Sequence, residues 1–209
     1  FRYGNPICMG CYWEFSISDW SDIQYIEVWS GLFPSIQPAN GRAFRMWTDL
    51  LNQGKRIAAT CGRDWHNSKQ VSKPIAVTYL GAGPDDGGGD LERAALSALK
   101  LGRVSVTMGP LLLLSAFHAS SGTTWLIGDV VDVAPDESIE VRVELDTTAR
   151  AEYWKCERQT FHVRLESNMG RLALLELPDG ANRASCRLLP GGLTWIRAEL
   201  VGIIHELHT

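Results

Sequence analysis

Histidine is scarce in this chain of 209 residues and absent before His66; His118, His162, His205 and His208 complete the set. No His-x-His occurs, which excludes the compact two-imidazole motif that many divalent-metal sites use. No apolar run approaches the ~18–20 residues of a membrane-spanning helix, so no membrane span is expected. A cationic excess is missing too: Lys plus Arg number 20 against 24 Asp plus Glu, giving net charge −4. Without clustered Lys and Arg there is no electrostatic footprint for a nucleic-acid partner. Cysteines number five, and only Cys8-Met9-Gly10-Cys11 has paired spacing. The second pair that a zinc knuckle needs is absent; free thiols, a disulfide and a structural zinc all stay open there. Gly87-Gly88-Gly89 lacks the Lys-Ser/Thr of a phosphate loop and reads as a flexible connection.

Apolar content of 45% and charged content of 21% are those of an ordinary globular chain. Asp22 to Trp29 is rich in β-branched and aromatic residues and ends at Ser30-Gly31, which predicts a strand. Asn40 is a good helix N-cap; Phe44, Trp47, Leu50 and Leu51 share one helical face, and Gly54 closes the pattern. A short strand, Ile57–Thr60, follows. Strand–helix–strand order predicts parallel pairing with a right-handed crossover. Chemistry in such sheets gathers at the carboxyl ends of the strands. There the sequence reads Cys61-Gly62-Arg63-Asp64-Trp65-His66. An Asp-x-His pair leaving a strand offers an oxygen and a nitrogen donor suited to Zn, Mn or Fe. The alternative is a surface turn in which Asp64 caps its own backbone. Glu27 is a further candidate metal ligand, and Arg63 is either an anion-binding group or a salt-bridged scaffold residue. Further on, Ile75–Leu80 is a short apolar strand, Asp90 caps a helix running to Leu101, Gly102 stops it, and Arg103–Thr107 is another strand.

The series Ile26-Glu27-Val28-Trp29, Trp47-Thr48-Asp49-Leu50-Leu51-Asn52-Gln53-Gly54 and Gly62-Arg63-Asp64-Trp65-His66 resembles the PHP (polymerase and histidinol phosphatase) superfamily. Ala98 to Pro110 narrows the resemblance to the CehA/McbA-type metallohydrolase branch, and the likeness covers residues 1 to about 130. It implies a distorted (β/α)7 barrel holding up to three divalent metals. It also implies hydrolysis of a small-molecule phosphoester, ester or carbamate, with Asp64 and His66 as metal ligands. Departures are the bulky Arg63 and Trp65 flanking the aspartate and the missing early histidines. The chain opens at Phe1 without Met or a targeting segment. It is therefore expected to be the carboxyl-terminal part of a longer enzyme, inactive alone, with most ligands outside it.

After Pro110 the texture becomes all-β. Segments 111–117, 125–127, 138–145, 161–166, 171–177 and 193–201 are strand-like, and Ile139, Val141, Val143 and Leu145 alternate with Glu140, Arg142 and Glu144. The expected architecture is late barrel strands over residues 1–110 and an antiparallel β-sandwich-like domain over 111–209, with the Gly128-Asp129 turn resembling the family element that opens it. The competing reading is a non-catalytic sandwich that binds a carbohydrate or a partner, carried on a degenerate α/β scaffold.

Overall fold

A computed structural model describes residues 17, 19–31, 38–63, 76–82, 89–203 and 206–207. The fold is largely β, with two helices. Strand β1 (Tyr25–Ser30), helix α1 (Pro38–Asn52) and strand β2 (Ala58–Gly62) come first, followed by β3 (Val77–Leu80), helix α2 (Leu91–Leu101) and β4 (Val104–Thr107). β1 and β2 pair in parallel, as the strand–helix–strand order predicts. β3 and β4 pair antiparallel, which departs from the all-parallel pairing of a regular barrel.

Local chemistry sets the helix ends. Asp90 accepts from the amides of Glu92 and Arg93, and Gly102 closes α2 at φ 71°, the left-handed turn that glycine adopts without strain. Asn40 behaves differently from the expected N-cap. It lies inside α1, buried, and its carboxamide accepts from Ser30 N at 3.0 Å and donates to Ser30 O at 3.2 Å. The side chain imitates a neighbouring strand and pins the start of α1 to the end of β1. Trp47 Nε1 donates to Ile57 O at 2.8 Å, tying the same helix to the approach of β2.

The remaining strands are β5 (Leu111–His118), β6 (Thr123–Leu126), β7 (Ile139–Asp146), β8 (Trp154–Lys155), β9 (Phe161–Ser167), β10 (Gly170–Leu177), β11 (Arg183–Leu188), β12 (Ile196–Val201) and β13 (Glu206–Leu207). They form one antiparallel sheet in the order β11-β7-β5-β6, a second in the order β10-β9-β12, and a small β8–β13 pair. The alternation read in β7 is realised: Ile139, Val141, Val143 and Leu145 are all at most 2% exposed. With Phe161, Val163 and Leu165 of β9 and Leu175 and Leu177 of β10 they make one apolar cluster shared by both sheets. Burying each such side chain contributes about 1.5–3 kcal/mol, so this cluster is the main store of stability.

Two joints connect the α/β elements to this core. Arg56 donates to Gly128 O at 2.6 Å, and Arg103 pairs with Asp129 at 3.3 Å. At the second joint Arg197 of β12 lies 4.5 Å from the Phe44 ring centroid, 4.8 Å from Trp47 and 5.2 Å from Trp195. It also pairs with Glu199 at 2.6 Å and donates to Thr48 Oγ1 at 3.0 Å.

Candidate functional site

The carboxyl ends of β1 and β2 and the start of β3 are drawn together by backbone hydrogen bonds. Gly31 N donates to Gly62 O at 2.9 Å, and Ala76 N donates to Gly31 O at 3.1 Å. In β1 the register slips between Glu27 and Trp29, leaving Val28 as a bulge, a device that re-aims neighbouring side chains. Glu27 is consequently laid across Gly62: a Cβ at that glycine would fall 2.5 Å from Glu27 Cδ and 2.7 Å from Oε1. Only glycine leaves the carboxylate that position. Cys61, next to it, donates its amide to Thr78 Oγ1 at 3.0 Å, and its sulfur lies 3.3 Å from the same oxygen. Burial pushes the Cys61 thiol up, the Thr78 hydrogen bond lowers it, and the Glu27 charge raises it again. The balance favours the protonated thiol.

Asp64 and His66, the expected metal ligands, lie outside the described residues, as do Trp65 and the Cys8–Cys11 pair. Arg63 is half-buried and makes no ion pair among the described residues. Cys61, Cys156 and Cys186 are free thiols. Among the described residues no group of three or more His, Cys, Asp or Glu side chains could hold a metal. His118 is buried, with Nδ1 3.0 Å from Ser121 Oγ and its ring against Trp125; it organises the β5–β6 turn. His162 faces Glu176 across β9 and β10 at 3.9 Å. No helix among the described residues is long and apolar enough to cross a membrane.

Thr78 of β3, which holds Cys61, was not singled out by sequence reasoning; it was legible only as part of an apolar strand. No protein-family model, curated protein or solved structure matches the chain.

Proposed function

We propose that the chain is part of a metal-dependent hydrolase of the PHP type, in the CehA/McbA branch, acting on a phosphoester, ester or carbamate. Residues 1–110 would contribute late barrel strands and 111–209 a sandwich-like accessory domain. Asp64 and His66 would hold a divalent Zn, Mn or Fe ion with Glu27, and the remaining ligands would come from outside this chain. The observation that carries the reading is the Glu27–Gly62 contact. It presents a carboxylate at the paired carboxyl ends of β1 and β2, two residues before Asp64 in the chain. Oxygen and imidazole donors fit such a cation. When bound, the ion would supply an acidified water near neutral pH and stabilise charge developing on the substrate oxygen. Among the described residues, this chain's own contribution is to fix Glu27 through the Val28 bulge and to brace the β1 terminus with Asn40.

The test uses the full encoded protein. Asp64→Asn and His66→Ala should each lower metal content and hydrolysis of an activated phosphoester or ester together, since one ligand sets both ion affinity and water acidity. Gly62→Ala should displace Glu27 with little change in melting temperature but reduced metal content. Unchanged metal content and turnover in His66→Ala would overturn the assignment.

A non-catalytic binding module is the second reading. It is favoured by an open cavity of about 420 Å³ at the end of the two-sheet core, lined by Trp154, Lys155, Gln159, Phe161 and Asn182 among others. Saturable sugar binding lost on Asn182→Ala, with no metal-dependent turnover, would select it.

A further inference from the structure

Among the described residues an Asn or Asp precedes a glycine at Asn40-Gly41 and at Asp179-Gly180. Both dipeptides are open to the same ring closure. Glycine has no Cβ to shield its amide nitrogen, and that nitrogen can attack the side-chain carbonyl carbon of the residue before it. As free peptides Asn-Gly reacts the faster of the two, because ammonia leaves an amide more readily than water leaves a carboxyl group ionised at neutral pH. In a folded chain the order depends on how each side chain is held.

Asn40 is locked. It is buried inside α1, and its carboxamide accepts from Ser30 N at 3.0 Å and donates to Ser30 O at 3.2 Å. Both bonds must break before its Cγ can turn to Gly41 N, and such local opening keeps the reactive fraction small. Asp179 is not locked. It is the second residue of the turn Pro178–Ala181, in which Ala181 N donates to Pro178 O at 2.8 Å and Gly180 has φ 85°. Its side chain is 52% exposed and accepts no hydrogen bond among the described residues. Its ion pair there, to Arg158 Nε at 3.8 Å, is with a side chain 92% exposed, a contact that restrains it little. A Cβ at Gly180 would meet nothing within 4 Å, so a ring closing on its nitrogen has room. The turn joins β10 to β11 and lines the open cavity beside Asn182.

We infer that Asp179-Gly180 is a site of spontaneous isoaspartate formation, and that the fold reverses the order of reactivity of the two dipeptides. Gly180 N bonds to Cγ of the protonated Asp179 carboxyl; the amide proton and the carboxyl OH leave as water, closing a five-membered succinimide. Water then adds to one of the two ring carbonyls, and the C–N bond at that carbonyl breaks. Opening at the Asp179 main-chain carbonyl leaves the backbone running through Cβ and Cγ, which is isoaspartate; opening at Cγ restores aspartate. One water leaves and one returns, so no oxidant or other co-reactant is needed. The product carries an extra methylene in the backbone between β10 and β11. It lies beside Asn182, whose carbonyl accepts from Leu145 N at 2.8 Å, and so reshapes the rim of the cavity. The inference is independent of the hydrolase reading.

The full encoded protein is held for weeks at neutral pH and body temperature, one sample folded and one unfolded in guanidinium chloride, and both are digested with trypsin. Isoaspartate is quantified with an isoaspartyl methyltransferase and located by electron-based fragmentation. In the folded sample the peptide of residues 172–183 should gain isoaspartate at unchanged mass. The gain should be several-fold greater than conversion of Asn40 in the peptide ending at Arg42. In the unfolded sample the order should invert. Asp179→Glu, which would have to close a six-membered ring, should abolish the signal in 172–183 with the fold kept. Asp86-Gly87 lies outside the described residues and is scored in its own peptide. A folded protein in which Asp179 stays unconverted, or in which Asn40 converts as fast, overturns the inference. An unfolded sample that keeps the folded order would show that the fold reverses nothing, and overturns it equally.

Discussion

The two regions of this molecule bury very different side chains. In the strands after Pro110 the least exposed residues are large and branched, with Val163, Leu165 and Leu177 at 0% exposure. Before it, among the described residues, alanines make up a larger share: Ala59, Ala76, Ala94 and Ala98 are buried beside the larger Val28, Leu50, Ile57, Val104 and Met108. Buried apolar area sets hydrophobic stabilisation, so among the described residues the second region contributes the larger share. The first holds two unusual contacts: a glutamate laid over a glycine and a half-buried thiol on a threonine. Sites that must keep polar groups close together sit poorly inside a dense apolar core, and here the thinner layer is anchored to the denser one through Gly128–Asp129 and Arg197.

That contrast can be broken most directly in the core. Leu165→Ala should cost toward the upper end of about 2–5 kcal/mol, and Leu50→Ala, the same truncation before Pro110, toward its lower end. Denaturant unfolding followed by tryptophan fluorescence measures both. Equal losses would mean that the two regions share stability evenly, contrary to their burial.

Much of this division was legible in the sequence, because the alternation of Ile139 to Leu145 and the Asp90–Gly102 boundaries are local signals that tertiary structure had no cause to override. β11 was not read. Its residues Arg183, Ser185 and Arg187 alternate with Ala184, Cys186 and Leu188, a period-two pattern with too little apolar contrast to register. The parallel β1–β2 pairing was foreseeable, whereas the antiparallel β3–β4 pairing was not, since a helix between strands usually signals a crossover. Glu27 was visible as a candidate by alternation. Its position over Gly62 depends on a bulge and on pairing between strands far apart in sequence, which no local pattern records.

A smaller effect tests how the regions are joined. Arg197→Ala removes a cation from three aromatic rings and leaves Glu199 without one of its arginines, Arg164 remaining at 3.1 Å. The expected loss is about 2 kcal/mol. If the joint couples the regions, the variant should also separate one unfolding transition into two by calorimetry; a single transition with unchanged midpoint would reduce Arg197 to a surface contact. Smaller again is Asp90→Ala, which strips two amides at the start of α2 of their acceptor and should cost about 1 kcal/mol. Circular dichroism at the helix band would follow it.

The smallest expected effect concerns acid. Hydrogen bonds from the Thr148 hydroxyl and amide, and then from Ala149, hold the Asp146 carboxyl below its ordinary value of 3.8. Bonds from Arg142 and Ser185 do the same for Glu140, whose ordinary value is 4.5. A carboxylate depressed in the folded state binds its proton more readily when unfolded. Its contribution is therefore complete above the ordinary value and is lost as pH falls through the lower, folded value. Both groups lie in β7 of the second region, so acid should loosen the denser region through its surface while the apolar core is untouched. Melting temperature followed from pH 7 down to about pH 3 should decline less steeply below pH 4 in Asp146→Asn than in the native protein, since the amide keeps an acceptor for Thr148 and has no proton to take up. Parallel curves for the two proteins through that range would show that the Asp146 turn adds nothing to the acid sensitivity of the region.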